Sequence, residues 1–322
     1  MQRREIIGLI VFFLIAFGIP WAGWTFLNDE NLSLWLFPLF CSIAGFTATY
    51  VEGGTDGLRK FCKRTLLLSG AIKWTLLAML IPLALGFSYL IGTGVSLSSL
   101  QFPIHDIFGL WLVAALVTGP LAEEFGWRGY LQNKLLGYMR PIWVALAIGI
   151  IWCIWHVPLF YSSVFSSPLS ALRFLAYLVT WSIFILFLVQ RANGSVWPAV
   201  IFHWAANTHA NILGMLLPSV DGGQLPGGSK GTLLYLGVAV TFVIIQWRFF
   251  TAHTTTGGNP IETSNYAIKG TSAWTLHSNL YPARRSLILV VGPHYESSDH
   301  SLRNALFWSS FRLSVRIRTN ER

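Results

Sequence analysis

Two adjacent glutamates, Glu123 and Glu124, lie inside an otherwise apolar stretch, residues 110–131, with Arg128 four positions after the second. Between Gly57 and Val220 the only other acidic residue is Asp106, at the edge of a hydrophobic run rather than within one. A carboxylate at bilayer depth costs several kcal/mol unless it is paired, protonated or wetted, so an intramembrane acid marks a functional site by default. Two further apolar stretches carry polar or aromatic pairs at the same spacing: Trp152 with His156, and His203 with Asn207. Residues four apart share a helix face, so each stretch aims one pair in one direction. Hydrolysis of a peptide bond needs a base to activate water, donors for the developing oxyanion and a proton for the leaving amine. Glu123 suits the base, with His156 helping to orient and deprotonate the water. His203 and the Asn207 amide suit the oxyanion. Glu124 with Arg128 would fix the helix and keep a second charge away from the base.

Simpler readings compete. Glu124 and Arg128 form an i,i+4 pair that can be purely structural, though it leaves Glu123 without an obvious partner. Glu123, His156 and His203 can instead make a three-ligand zinc site. No H-E-x-x-H segment is present and Asn is a poor zinc ligand, so metal-free hydrolysis with no cofactor is preferred and zinc is the alternative. His209 and Asn211 point to other faces and read as structural. His105, His253, His277, His294 and His300 fall outside the apolar core. Membrane Glu and His also form proton relays in transporters, but no repeat relates the halves of this chain.

The elements that must carry these groups are transmembrane. The chain has 322 residues, 54% hydrophobic and 11% charged, with a mean hydropathy of +0.57. Soluble domains carry roughly 25% charge, so an all-α, polytopic membrane bundle is expected. A span needs about 20 mostly apolar residues. Eight stretches qualify: 6–27, 34–51, 74–95, 107–136, 142–161, 172–190, 197–217 and 232–250. Basic loops alternate with base-poor ones, which by the positive-inside rule puts both termini in the cytoplasm. The net charge of +9 therefore reflects topology and not nucleic-acid binding. The expected location is a bacterial plasma membrane. The first run is read as an uncleaved helix. Residues 57–70 have the spacing of a short interfacial helix, with Leu58, Phe61 and Cys62 on one face. Cys41, Cys62 and Cys153 form neither a disulfide framework nor a metal spacing.

The spans fourth and fifth in order form an antiparallel hairpin turning near Gly137–Pro141. Glu123 is 16 residues before Met139 and His156 is 17 after it. At about 1.5 Å per residue the two lie at nearly one level. His203, nine residues past Gly194, is expected to be shallower by roughly 10 Å. Pro120 and Pro158 flank the site, where kinks would free backbone carbonyls. The chain divides into a transmembrane domain, 1–250, and a polar, basic tail, 251–322, expected to be disordered.

At these residues the sequence resembles the CPBP family: CAAX prenyl proteases and bacteriocin-processing or immunity (Abi) proteins. Its motifs E-E-x-x-x-R, F-x-x-x-H and H-x-x-x-N read here as Glu123-Glu124-Phe-Gly-Trp-Arg128, Trp152-Cys-Ile-Trp-His156 and His203-Trp-Ala-Ala-Asn207. They occur in family order over about residues 105–217, with Trp152 where the family usually has Phe. The resemblance implies a glutamate-type intramembrane endopeptidase in which Glu123 and His156 activate water and His203 and Asn207 hold the oxyanion. Its partners would be the lipid bilayer and a membrane-associated or lipidated peptide or protein substrate. A non-catalytic immunity or scaffold protein, or a proton-coupled transporter, is the alternative.

Overall fold

The computed structural model describes residues 2–27, 35–92, 101–216 and 229–252. Apart from the first two residues, the tail expected at 251–322 lies outside the described residues. All regular structure among the described residues is helical. In chain order the helices are α1 (Arg3–Phe26), α2 (Leu39–Thr65), α3 (Ile72–Gly92), α4 (Ile104–Leu136), α5 (Pro141–Trp155), α6 (Pro168–Arg191), α7 (Trp197–Leu216) and α8 (Ser229–Ile245), followed by a short turn of helix, Trp247–Thr251. Of these, α1, α4 and α6 are long and apolar enough to cross a membrane; the apolar parts of α3, α5 and α8 are shorter. The many large apolar side chains left exposed, such as Leu14, Ile72, Leu80, Val113 and Ile244, are those a lipid phase covers. The chain is an integral membrane protein.

Helix α2 lies against α1 and the second half of α4, α5 against α6, α7 against α3, and α8 against α6. Without a hydrophobic drive between helices in lipid, close backbone approach decides such contacts, and small residues permit it. Gly126 of α4 is the sharpest case: a Cβ there would collide with the carbonyl and sulfur of Cys41 on α2. Cys41 and Ser42 also donate to the carbonyls of Glu123 and Leu121, at 3.4 and 3.2 Å. The backbone that carries the two glutamates is thus pinned on α2.

Proline and π-helical segments recur where helices bend. In α1 the run Leu14–Gly18 is π-helical and precedes Pro20. Proline cannot donate to the carbonyl four residues earlier, here Ala16. The Trp155 indole supplies that oxygen with a donor at 2.7 Å, and Trp21 returns a bond to the Trp155 carbonyl at 3.0 Å. These bonds fasten α1 to the end of α5. In α4 the segments Val117–Leu121, which contains Pro120, and Phe125–Gln132 are π-helical on either side of the glutamates. Such π-turns are frequent at functional sites.

Two expectations need adjusting. A short helical segment does occupy much of 57–70: α2 is broken at Gly54, whose φ of 59° favours glycine, and its second segment ends at Thr65. Past that break Phe61 and Thr65 are buried against the protein, Phe61 meeting Phe46, while Arg59, Lys60 and Lys63 stay exposed. The expected span 142–161 ends early. Helix α5 stops at Trp155 with His156 as its cap, because Pro158 disfavours helical geometry at the residue before it. Pro158 is therefore a stop and not a kink.

At one end of the bundle Lys134 bonds Glu52 at 2.6 Å and Glu5 at 3.3 Å. Tyr130 and Tyr138 donate to the same carboxylates, at 2.6 and 2.7 Å. The Glu5 carboxylate beside the Tyr138 hydroxyl pushes that phenol up to about 12. This cluster puts the start of α1 and the α4–α5 turn on one side.

Candidate active site

A group of buried polar residues gathers between α4, α5 and α7. Glu123, Glu124, Arg128, His156 and His203 are each less than a tenth exposed. Buried polar groups without a partner cost stability; the two glutamates find partners of different kinds, and Glu124 Oε2 and Arg128 Nε have none among the described residues. Glu124 Oε1 accepts from Arg128 Nη1 at 2.9 Å and from His203 Nδ1 at 2.8 Å. The i,i+4 pair read from the sequence is therefore present, and it also locks a histidine of α7 in place. Arg128 lies over the Trp152 ring, 4.3 Å from its centre, and donates to Ser182 at 3.3 Å.

Glu123, which has no obvious partner in the sequence, accepts on Oε2 from the Trp152 indole at 2.8 Å and from the Trp127 indole at 3.3 Å. Its other oxygen faces a small space above Gly119. A Cβ built on Gly119 would lie 3.5 Å from Asn207 Nδ2 and 3.7 Å from both Glu123 Oε1 and His203 Nε2. Three of the four residues singled out for catalysis thus aim a polar atom at one point, and that point is open because residue 119 is glycine.

His156 joins through aromatic neighbours. Its Nδ1 lies 2.8 Å from the Trp152 carbonyl. A carbonyl only accepts, so Nδ1 carries the hydrogen and Nε2 is left as an acceptor. The ring stacks on Phe160 and meets Trp152 at 6.0 Å and Trp155 at 4.8 Å between centres. The Trp152 ring stands edge-on to His203 at 5.0 Å, so one indole touches His156, His203, Arg128 and Glu123.

The offset of roughly 10 Å expected for His203 from ideal helical rise does not keep its ring from bonding Glu124 directly. The π-helical run Phe125–Gln132 holds more residues per turn than an α-helix and so brings the glutamates somewhat nearer the α4–α5 turn; the reach of the two side chains covers the rest. Trp127 is the participant that sequence reasoning missed. Its signal was the spacing already used for Glu124 and Arg128, four residues after Glu123. His209 packs elsewhere: Nδ1 lies 2.7 Å from the Ala206 carbonyl and Nε2 3.2 Å from the Tyr235 hydroxyl, which ties α7 to α8.

Among the described residues no three His, Cys, Asp or Glu side chains converge in a way that could hold a metal ion. The trio considered for zinc, Glu123, His156 and His203, does not form a ligand set in this arrangement.

Fold and site together define an all-helical integral membrane protein with a buried carboxylate, imidazole and amide cluster. Residues 106–209 match the family described as type II CAAX prenyl endopeptidase, Rce1-like. A curated relative, CAAX prenyl protease 2 of Methanococcus maripaludis, is 28% identical over 147 residues. That alignment takes in 42% of this chain and 54% of the relative, so the chain spans about half the length of the curated relative it matches. Over this segment the chain is similar to the type II CAAX prenyl endopeptidases, and the segment contains Glu123, His156, His203 and Asn207.

Proposed function

We propose that the chain is an intramembrane endopeptidase that hydrolyses a peptide bond of a membrane-associated or lipidated protein or peptide, using activated water and no metal. The observation that carries this reading is the convergence of Glu123 Oε1, His203 Nε2 and Asn207 Nδ2 above Gly119. A water held against Glu123 Oε1, with the His156 Nε2 acceptor as its second partner, loses a proton to the carboxylate as it attacks the scissile carbonyl. The carbonyl oxygen gains negative charge and receives hydrogen bonds from His203 Nε2–H and the Asn207 amide. Nδ1 of His203 is engaged by Glu124, which leaves Nε2 as the nitrogen that faces the oxyanion. The proton taken by Glu123 then passes to the leaving amine.

The substrate class follows from the setting: the scissile segment must reach a site enclosed by membrane helices. The family description points to a prenylated C-terminal peptide as one form of such a substrate. The test is a comparison of peptide termini in membranes expressing wild type or Glu123→Ala at matched levels. New termini confined to wild type are expected, and they nominate the substrate. Identical profiles, in cells where the wild type still produces a phenotype, would replace the peptidase reading with a scaffold or immunity role.

A further inference from the structure

The neighbouring glutamates receive partners of different kinds. Glu124 is bound by a guanidinium and an imidazole, whereas the partners of the Glu123 carboxylate among the described residues are neutral indole N–H groups. Both indoles are almost wholly buried, Trp127 at 0% and Trp152 at 1% exposure, and both act on the same oxygen, Oε2. They come from different helices, Trp127 from α4 and Trp152 from α5. Trp127 is wedged edge-on against Phe12, Phe17 and Trp155, so its ring has little freedom to turn away. Trp152 stands where the sequence resemblance leads one to expect Phe, a residue with the same aromatic character and no donor.

We infer that Trp152 and Trp127 are positioning residues that form an indole clamp on Glu123, committing Oε2 to the protein and presenting Oε1 alone to the reacting atoms. The inference rests on the peptidase reading for its kinetic consequence but not for the clamp itself. Two donors from two directions fix the plane of the carboxylate. Because they are neutral, they do so without placing a fixed cation on the base. A charged clamp would hold the carboxylate equally well and oppose its taking up a proton. With the clamp, the geometry of the base is set before substrate arrives, which is what preorganisation requires.

The experiment has two arms. In detergent micelles, the indole N–H resonances of labelled tryptophan are assigned by loss in Trp152→Phe and Trp127→Phe. Both assigned signals should shift in Glu123→Ala while the Trp21 indole, which bonds a backbone carbonyl, stays in place. In the kinetic arm, with a peptide nominated from membranes, Trp152→Phe should lower kcat about 10- to 100-fold, the scale of one hydrogen bond to a charged group, with KM within about twofold. Trp127→Phe, at the longer distance, should lower kcat less, and Trp21→Phe should leave it unchanged. If the Trp152 signal ignores Glu123→Ala, the clamp does not exist. If the signal shifts but Trp152→Phe keeps wild-type kcat, the clamp does not position the base. If wild type cleaves no peptide, the peptidase reading fails and the resonance arm still decides the clamp.

Discussion

Gly119 offers the most direct probe of where the reaction takes place. An alanine methyl there would lie 3.5–3.7 Å from Asn207 Nδ2, Glu123 Oε1 and His203 Nε2, which is ordinary van der Waals contact, so no backbone need move. Alanine is also favoured over glycine inside a helix by about 0.8–1 kcal/mol. Gly119→Ala should therefore fold with unchanged or slightly raised Tm. The chemistry should suffer nonetheless. The water and the carbonyl oxygen must approach these same polar atoms to about 2.7–3.1 Å, and the methyl occupies the space between them. A displacement on the order of 1 Å costs roughly 10²-fold in rate. Gly119→Val extends one carbon–carbon bond, about 1.5 Å, further and would bring carbon to about 2 Å from the amide or carboxylate. It should lose activity altogether and about 1–3 kcal/mol of stability through overpacking. The assay is cleavage of a nominated peptide in proteoliposomes, beside thermal unfolding of the same preparations. An alanine variant with wild-type kcat and KM would show that the reacting atoms do not occupy this space. An alanine variant that fails to fold would show that the clearance is not what the geometry gives.

Glu124→Gln should destabilise the protein by about 3–5 kcal/mol, because it leaves the Arg128 charge buried without its counter-ion; thermal unfolding in micelles checks this, and a change below about 1 kcal/mol would mean that water reaches the arginine. Asn207→Ala should lower kcat by about 10²–10³ with little change in KM, the loss expected of one oxyanion donor, and an equal fall in affinity with kcat intact would move Asn207 to substrate binding. A zinc chelator should leave cleavage unaffected after prolonged incubation, while inhibition reversed by added zinc would favour the Glu123, His156 and His203 ligand set.

What is legible in the sequence is set by local spacing. The pairs Glu124–Arg128, Trp152–His156 and His203–Asn207 share helix faces whatever the surroundings, and the polar atoms of three of those helices do meet. The α4–α5 hairpin is legible because Pro141 opens a helix directly after the Gly137 turn. What fails depends on departures from ideal geometry. The contact of His203 with Glu124 is missed because neither the π-helical turns in α4 nor the reach of the two side chains leaves a clear mark in the sequence. Span five is drawn too long because Pro158 can either bend a membrane helix or end it, and packing at its terminus decides which. The helical spacing of 57–70 is legible, but not its direct junction to α2 at Gly54, nor the burial of Phe61 against Phe46, which depends on a partner from another segment. Trp152 reads as an aromatic wall because hydrogen bonding across helices cannot be assigned from one stretch of sequence.

The adjacency of Glu123 and Glu124 has a mechanical reason. Successive residues on a helix point about 100° apart, so one turn of α4 can send one carboxylate toward the Arg128–His203 pair and the next toward the indoles. Helix α7 reads both. His203 Nδ1 bonds Glu124 while its other nitrogen faces the space beside Glu123, and Asn207, one turn further along, meets the same space. The Glu124 bond thus helps to hold the His203 ring, and with it the nitrogen proposed as an oxyanion donor, relative to Glu123. On the proposed mechanism the ion pair and the catalytic set are not separable: a change that frees His203 from Glu124 is expected to withdraw the His203 donor even where Glu123 and its indole partners are untouched. On this argument the stability of the buried pair and the competence of the site depend on the same 2.8 Å contact between α4 and α7.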